Sequence, residues 1–428
     1  MAIVFVLLLS LTAQAAPGAS SARLDQWPAE AGASATQAPP PALTLPDALG
    51  RARAQSPRRR AALALSEGAR AAAEASAPWV NPSIEVRGEN WRVGDRTSDP
   101  PVDAFAVVTQ PLEIGGKRGA RRALAVAGAS LAATDLDQVD RWLTLEVARR
   151  YTAVLRARGM VALLVEQAAG TDEIVRVMRR RVEEGYAAEG DLRKFEAETA
   201  RLRAELLRAE LDLARTVAGL GAVLGSAEPV DAAGLAAPDV APPPLAAAAV
   251  SAEKLARRPD VAAADARVER ASRQLALERA LRIPDLAVSG GYKRTAGVDT
   301  GVVAVAMPIP IGDRNRAAIL RAEAEARAAS LEREGVLLDA RAEALSALGA
   351  AAALRERAAL ADDELLAPAA IVRTAARAAF REGGGDVLRL VDAERGYTEA
   401  RRTTLDLRLD AAMAAIEARL ALGEQVTP

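Results

Sequence analysis

The amino-acid sequence predicts a mainly α-helical chain that also contributes four β-strands to a membrane barrel, all built by internal duplication. Three observations carry that prediction. Landmarks recur in the same order at offsets near 200 residues. Two stretches of nearly 70 residues are helix-forming and almost free of proline. Each is preceded by two strand-like segments of about 9–11 residues, the length of a tilted membrane β-strand.

Composition narrows the function classes. In 428 residues, 56 Lys and Arg stand against 57 Asp and Glu, a formal net charge of -1. A nucleic-acid binder carries a basic excess or a basic stripe, so none is expected. The chain has no histidine and no cysteine. That removes disulfides, thiolate or imidazole zinc sites, and catalysis built on a histidine base. Half of the residues are hydrophobic but only 3% are aromatic. A core of alanine and leucine suits closely packed helices. With no phosphate-binding loop, metal-ligand cluster or nucleophile–base pair, the expectation is a non-enzyme without a cofactor or a resident metal.

The first segment reads as a targeting signal. Ala2–Leu11 is mostly large and apolar, and Ala13-Gln14-Ala15 has the small-residue pattern of a cleavage site, although no Lys or Arg precedes it. Residues 1–15 are therefore expected to be a signal peptide, cleaved after Ala15. No cysteine follows to carry a lipoprotein anchor. Ten apolar residues are too few to span a ~30 Å bilayer core as a helix. No later stretch approaches 18 apolar residues without charges.

The duplication orders everything that follows. Pro57 and Pro82 are 25 residues apart, as are Pro259 and Pro284, an offset of 202. Gln110-Pro111 with Gly115-Gly116-Lys117-Arg118 recurs as Met307-Pro308 with Gly312-Asp313-Arg314-Asn315. Glu184-Gly185 recurs as Glu382-Gly383, and Leu224-Gly225 as Leu422-Gly423, both offset by 198. The spacing predicts a flexible segment 16–42, a first repeat 43–225, a linker 226–250, a second repeat 251–423 and a tail 424–428. In the first repeat a helix is expected over Leu45–Ala77, strands over 83–93 and 102–110, a helix from Gly116 to about Val182, and another from Gly190 to Leu224. The second repeats this order, with a helix to Leu281, strands over 285–293 and 299–307, and a helix over about Asp313–Phe380. Pro368 interrupts that last helix, where a kink is expected.

A helix of nearly 70 residues extends ~100 Å at ~1.5 Å per residue. Leu136, Val139, Leu143, Val147, Tyr151 and Val154 lie on one face of the first long helix. On the second, Ala324, Leu331, Leu338, Leu345, Ala352, Ala359 and Leu366 make a seven-residue repeat. Its companion positions Ala328, Gly335, Ala342 and Gly349 are small enough for close approach. Two shorter helices end to end match one long helix, so each repeat pairs a long rod with a composite one. The strands alternate loosely, Ile84, Val86 and Gly88 against Glu85, Arg87 and Glu89. Trp91, Phe105 and Tyr292 are candidates for an interfacial aromatic girdle. Four strands cannot close a membrane barrel, because the smallest have about eight, so an oligomer is required.

Five segments carry a resemblance to a known family. They are LTLPDALGRARAQSP at 43–57, the Asn81-Pro82 strand entry, TQPLEIGGKRGAR at 109–121, MPIPIGDRNRAAI at 307–319 and REGGGDVLRLVDAERGY at 381–397. With them the chain resembles the TolC-type outer-membrane efflux proteins, in particular the heavy-metal-cation branch typified by CzcC. The GGKR and GDRN junctions, Gly115, Gly116, Lys117, Arg118 and Gly312, Asp313, Arg314, Asn315, are the elements most specific to that branch. The triple glycine at 383–385 departs from the first repeat and is expected to shorten the second turn by about three residues.

The resemblance implies a homotrimer with a twelve-stranded barrel in the outer membrane of a Gram-negative bacterium and a long α-helical barrel in the periplasm. It implies a passive duct whose partners are a periplasmic adaptor, an inner-membrane pump and outer-membrane lipid. Gly185, Gly190, Asp191, Gly383, Gly384 and Asp386 are then the hairpin turns of the periplasmic tip, the candidate gate and adaptor contact. Helix capping explains the same residues at a simpler level. A duct for organic drugs or for type I protein secretion, and a soluble periplasmic coiled-coil scaffold, remain the alternatives.

Overall fold

The computed structural model describes residues 43–89, 103–226, 230–237, 250–382 and 387–424. The signal segment, Trp91, Gly383, Gly384 and Asp386 lie outside them. In the first repeat α1 (Leu45–Gln55) and α2 (Pro57–Glu74) precede β1 (Ser83–Glu89) and β2 (Asp103–Leu112), followed by α3 (Lys117–Glu183) and α4 (Glu189–Leu224). In the second, α5 (Ala252–Ala256) and α6 (Pro259–Leu281) precede β3 (Leu286–Thr295) and β4 (Val298–Ala306). There α7 (Arg316–Ala361), a π turn (Asp362–Leu366) and α8 (Ala367–Arg381) run as one rod, and α9 (Val387–Ala421) returns.

Pro57 and Pro259 each follow a residue of extended ψ that starts a new helix, and Pro368 sits just after a π turn. The helix expected over 45–77 is two helices, because Ser56 before Pro57 takes ψ 120° and cannot continue α1. Arg258 before Pro259 does the same with ψ 135°, at the same place in the second repeat. The kink expected at Pro368 is a turn of π helix just before it, closed by the Ala367 N–H donating to the Asp362 carbonyl. The wide turn gives the proline ring room that an α turn denies it.

The composite rods form as the lengths suggest. Along α3, α2 covers the strand-proximal part, with Arg59 Nε 2.7 Å from Asp140 Oδ1 and Arg118 donating to the Ala77 carbonyl at 2.7 Å. Farther along, α4 takes over, with Phe195 buried beside Met178. Both repeats end on the same capping device. The N–H of Ser226 donates to the Gly221 carbonyl, and that of Glu424 to the Arg419 carbonyl, over a left-handed Gly225 or Gly423.

The two stripes have different fates. Leu143, Val147, Tyr151 and Val154 are buried, with the single Tyr151 hydroxyl proton shared between the carbonyls of Leu43 (2.8 Å) and Ala236 (2.6 Å). The seven-residue stripe of α7 is not the internal seam. Leu331, Leu338 and Leu345 are 68%, 65% and 47% exposed, while Ala340, Ala344, Leu348 and Ala351 face inward. The seam went to the row with the smaller side chains, which lets α9 and α6 approach closely.

Arg258 is the largest fully buried side chain. It reaches the carboxylates of Asp260 (3.0 and 2.7 Å) and Glu343 and the carbonyls of Ala340 (3.2 Å) and Ala421 (2.8 Å). Burial alone pushes the Asp260 carboxyl up, yet the guanidinium of Arg258, with Arg141 nearby, holds it below its usual range.

The strands form one antiparallel sheet in the order β1-β2-β3-β4. The repeats therefore join through β2 and β3, from Ala104 opposite Arg294 to Leu112 opposite Leu286. At its centre Gly291 faces Val107, and a Cβ on Gly291 would lie 2.2 Å from the Ala106 carbonyl oxygen and 2.7 Å from Val107 Cα. Gly290 next to it has open space. Gly291→Ala should therefore push β2 and β3 apart and lower the midpoint of thermal unfolding. Gly290→Ala should stay within about 0.5 kcal/mol of the parent. Thermal unfolding of the two variants in detergent checks the contrast, and equal behaviour would disprove it.

Candidate functional site

Three regions hold the residues that the resemblance singles out: the sheet, the strand-to-helix junctions and the hairpin tip. In an antiparallel sheet, residues directly opposite share a face. The register gathers Ile84, Val86, Ala106, Val108, Val288, Val303 and Val305 on one face. On the other are Glu85, Arg87, Glu89, Asp103, Thr109, Ser289, Lys293 and Thr300. The apolar face is uncovered, with Ile84 74%, Val86 77% and Val303 83% exposed. Arg294 and Asp299 share the first face at one end of the strands, and Val107 and Val302 share the second; elsewhere one face is mainly apolar and the other mainly polar, as a wall between lipid and water needs. Of the girdle candidates, Tyr292 lies on the apolar face. Phe105 lies on the polar face, where the Lys293 ammonium sits 4.9 Å from its ring centre.

The junction residues are structural joints. Gly115 and Gly116 take φ 77° and 78°, and a Cβ on Gly115 would lie 2.8 Å from Ile283. Lys117 is buried with its Nζ 2.6 Å from Asp285 Oδ1, tying α3 to the entry of β3 in the other repeat. Arg118 stacks 4.9 Å from the centre of Trp79. In the second junction Asp313 accepts from the Asn315 N–H (2.9 Å), and Arg314 donates to the Pro310 carbonyl (3.3 Å). Asn315, at φ 55°, donates to the carbonyl and the carboxylate of Glu278 at 2.9 and 2.8 Å. Gly312 is exposed. Each set turns the chain from strand to rod and ties the rod to the preceding helix or the strand entry.

At the tip, α3 ends in a left-handed Gly185, with the Tyr186 N–H on the Arg181 carbonyl (2.7 Å) and the Gly185 N–H on that of Val182 (3.0 Å). The next helix starts earlier than its glycine suggests. Its N-cap is Ala188, so Gly190 and Asp191 lie inside the first turn and Asp191 is not the cap. Asp191 Oδ1 is 3.2 Å from Lys194 Nζ, and Glu189 pairs with Arg193 at 3.1 Å. The second turn, where the triple glycine at 383–385 is expected to shorten the loop, lies outside the described residues.

Sequence reasoning missed what joins the two tips. Phe195 of α4 and Phe380 of α8 pack 6.4 Å apart at 60°, with Met178, Leu192 and Leu390 around them. Arg181 lies over the Phe380 ring and donates to its carbonyl at 2.9 Å. The only signal available was rarity, since the chain has four phenylalanines. Charged pairs continue the joint. Glu198 of α4 accepts from Arg395 of α9 at 3.0 and 2.5 Å and from Arg201 at 3.2 and 2.9 Å. Glu166 of α3 pairs with Arg401 and lies 3.8 Å from Arg373.

Among the described residues no cluster of acidic side chains could hold a metal ion, and no helix is long and apolar enough to cross a membrane. The family model described as outer membrane efflux protein matches residues 48–226 and 250–424. The chain is 29% identical over 323 residues to the cobalt-zinc-cadmium resistance protein CzcC of Cupriavidus metallidurans, covering 75% of this chain and 76% of that protein. It is 30% identical over 314 residues to the nickel and cobalt resistance protein CnrC of the same organism, covering 72% of each. The solved structure of CusC superposes with a TM-score of 0.74 over 89% of this chain and 92% of that one, at 19% identity.

The Arg395 hydrogen bonds, with those of Arg201, outweigh burial and hold the Glu198 carboxyl down at about 2, from an ordinary 4.5. A carboxyl lowered by folding stabilises the fold above its unfolded value and loses that contribution as pH falls through the folded one. The thermal advantage of the wild type over Glu198→Gln should be full at neutral pH, shrink below about pH 4.5 and vanish near pH 2. Melting curves of both proteins across that range check it; a constant difference would contradict it.

Proposed function

The chain belongs to the outer membrane efflux protein family, matched in both repeats, and on that premise we propose that it is the passive exit duct of a tripartite efflux system for heavy-metal cations. The likeness to metal-resistance proteins over three quarters of the chain carries the substrate reading. The duct is a homotrimer. Four strands per chain leave β1 and β4 as open edges, and three copies make twelve strands, enough for a closed wall. The exposed Leu331, Leu338 and Leu345 stripe supports the same assembly, because a neighbouring rod would cover it. The apolar sheet face meets outer-membrane lipid and the polar face lines the lumen. At the far end, the hairpin tips meet a periplasmic adaptor that couples the duct to an inner-membrane pump.

With no histidine or cysteine, the duct offers mainly oxygen ligands, which suit hard cations better than zinc or cobalt. Selection among metals therefore belongs to the pump. What the duct adds is charge. Threefold symmetry turns each tip carboxylate into a ring, and rings of carboxylates favour cations in a narrow pore. Asp191 and Asp386 are the residues proposed for this, with Lys194 tempering Asp191.

Two expected outcomes follow. Val303→Arg, on the lipid face, should cost about 2–4 kcal/mol and deplete the membrane-inserted protein. Ala304→Arg, on the lumen face of the same strand, should be tolerated; membrane fractionation of both checks the assignment. In planar bilayers the purified protein should conduct with a cation preference, and D191N/D386N should insert normally but discriminate less against anions. No conductance would overturn the duct, whereas unchanged selectivity in the double variant would remove only the role given to the two acids.

A further inference from the structure

The two repeats are matched by an offset of 197 on one side of the π turn and 198 on the other. Beyond the strands, Gly115 matches Gly312. The buried residues Leu143, Val147, Tyr151, Val154 and Leu164 of α3 match the buried Ala340, Ala344, Leu348, Ala351 and Ala361 of α7, every one at 197. At the tip, Val182 matches Phe380 and Leu192 matches Leu390, members of one cluster, at 198. Leu220 and Leu224 match Ala418 and Leu422, again buried, and again at 198. The second rod thus carries one residue more than the first, and the extra residue enters between Ala361 and Phe380. The π turn Asp362–Leu366 lies in that interval, where α3 runs through without a break.

We propose that this π turn stores the extra residue and thereby keeps the tip of the second repeat in register with the first. An added residue in an unbroken α-helix would turn everything beyond it by ~100° and advance it ~1.5 Å. That rotation would take Phe380 off Phe195, Arg377 off the Glu394 carboxylate and Arg373 off Glu166. A single i→i−5 turn absorbs the residue locally, and both sides keep their faces. Pro368 is then a passenger of the turn rather than its cause, occupying a place that the wide turn opens. The joint divides the rod in two. The strand-proximal half is fixed by the buried alanine row of α7, and the tip half by Phe380 and the charged pairs of α8. This stands whatever the duct carries.

Because the chain has no cysteine, a single engineered pair reports the register cleanly. Glu166→Cys with Arg373→Cys places one thiol on α3 and one on α8, where the native charged ends lie 3.8 Å apart. A short bis-maleimide should join them in the full-length detergent-solubilised protein. In that background Pro368→Ala alone should keep both the cross-link and fast amide hydrogen exchange over residues 362–367. Deleting Asp363 together with Pro368→Ala should keep the cross-link and slow that exchange by more than about tenfold, because an unbroken α-helix replaces the turn. Deleting Val165, in the matching stretch of α3, should abolish the cross-link or the folded protein. Three results would overturn the proposal: slow exchange in Pro368→Ala alone, loss of cross-link or folding in the Asp363 deletion, or an intact cross-link after deletion of Val165.

Discussion

The pairing of β2 with β3 is the constraint on which the rest depends. These are the last strand of one repeat's hairpin and the first of the other's. Once they are in register, the two rods that grow from β2 and β4 start at fixed places on one sheet. Lys117 of α3 then reaches Asp285 at the entry of β3. The close approach at Gly291 shows how tightly that register is held. A slip of one residue would exchange the apolar and polar faces of the whole sheet.

Below the sheet, the rods are held by two kinds of contact that divide the work. Small side chains bring the backbones together: Ala340, Ala344, Ala351, Ala414, Ala418 and Ala421 form much of the second core. Alanine cores bury little area per residue, so they give closeness more than free energy. Arginines add polar bridges between the rods. Arg258 is fully buried and its acceptors come from α6, α7 and α9, while Arg395 and Arg401 join α9 to α4 and α3. Guanidinium groups suit this task because one planar group reaches several acceptors at once. The Arg395 and Arg401 pairs link the second repeat to the first, so the tip is a joint between repeats.

The outer surfaces of the rods are unfinished in a single chain. The Leu331, Leu338 and Leu345 row has the regularity of an interface and stays exposed among the described residues. Open strand edges and an open helix face occur together because both belong to the same incomplete wall. A chain with four strands has no way to bury either by itself.

Much of this was legible in the sequence. Repeat landmarks, rod lengths and strand positions are local or periodic properties, and they survive folding because proline, glycine and hydrophobic period act within a few residues. The left-handed turns at Gly116, Gly185 and Gly225 follow from the same local chemistry. Other features depended on which neighbour came close. Nothing in the seven-residue leucine period says whether its partner belongs to the same chain, and the packing chose the alanine row instead. The bonds from Arg258 to Ala340, Glu343 and Ala421, the Phe195–Phe380 contact and the Glu198–Arg395 pairing join residues 82 to 197 positions apart. Their geometry is set by the β2–β3 register and the rise of the helices. The sequence by itself determined the duplicated rods and the strands. Only the tertiary structure decided which faces meet, because a helix or strand has a period but no partner until another element is brought against it.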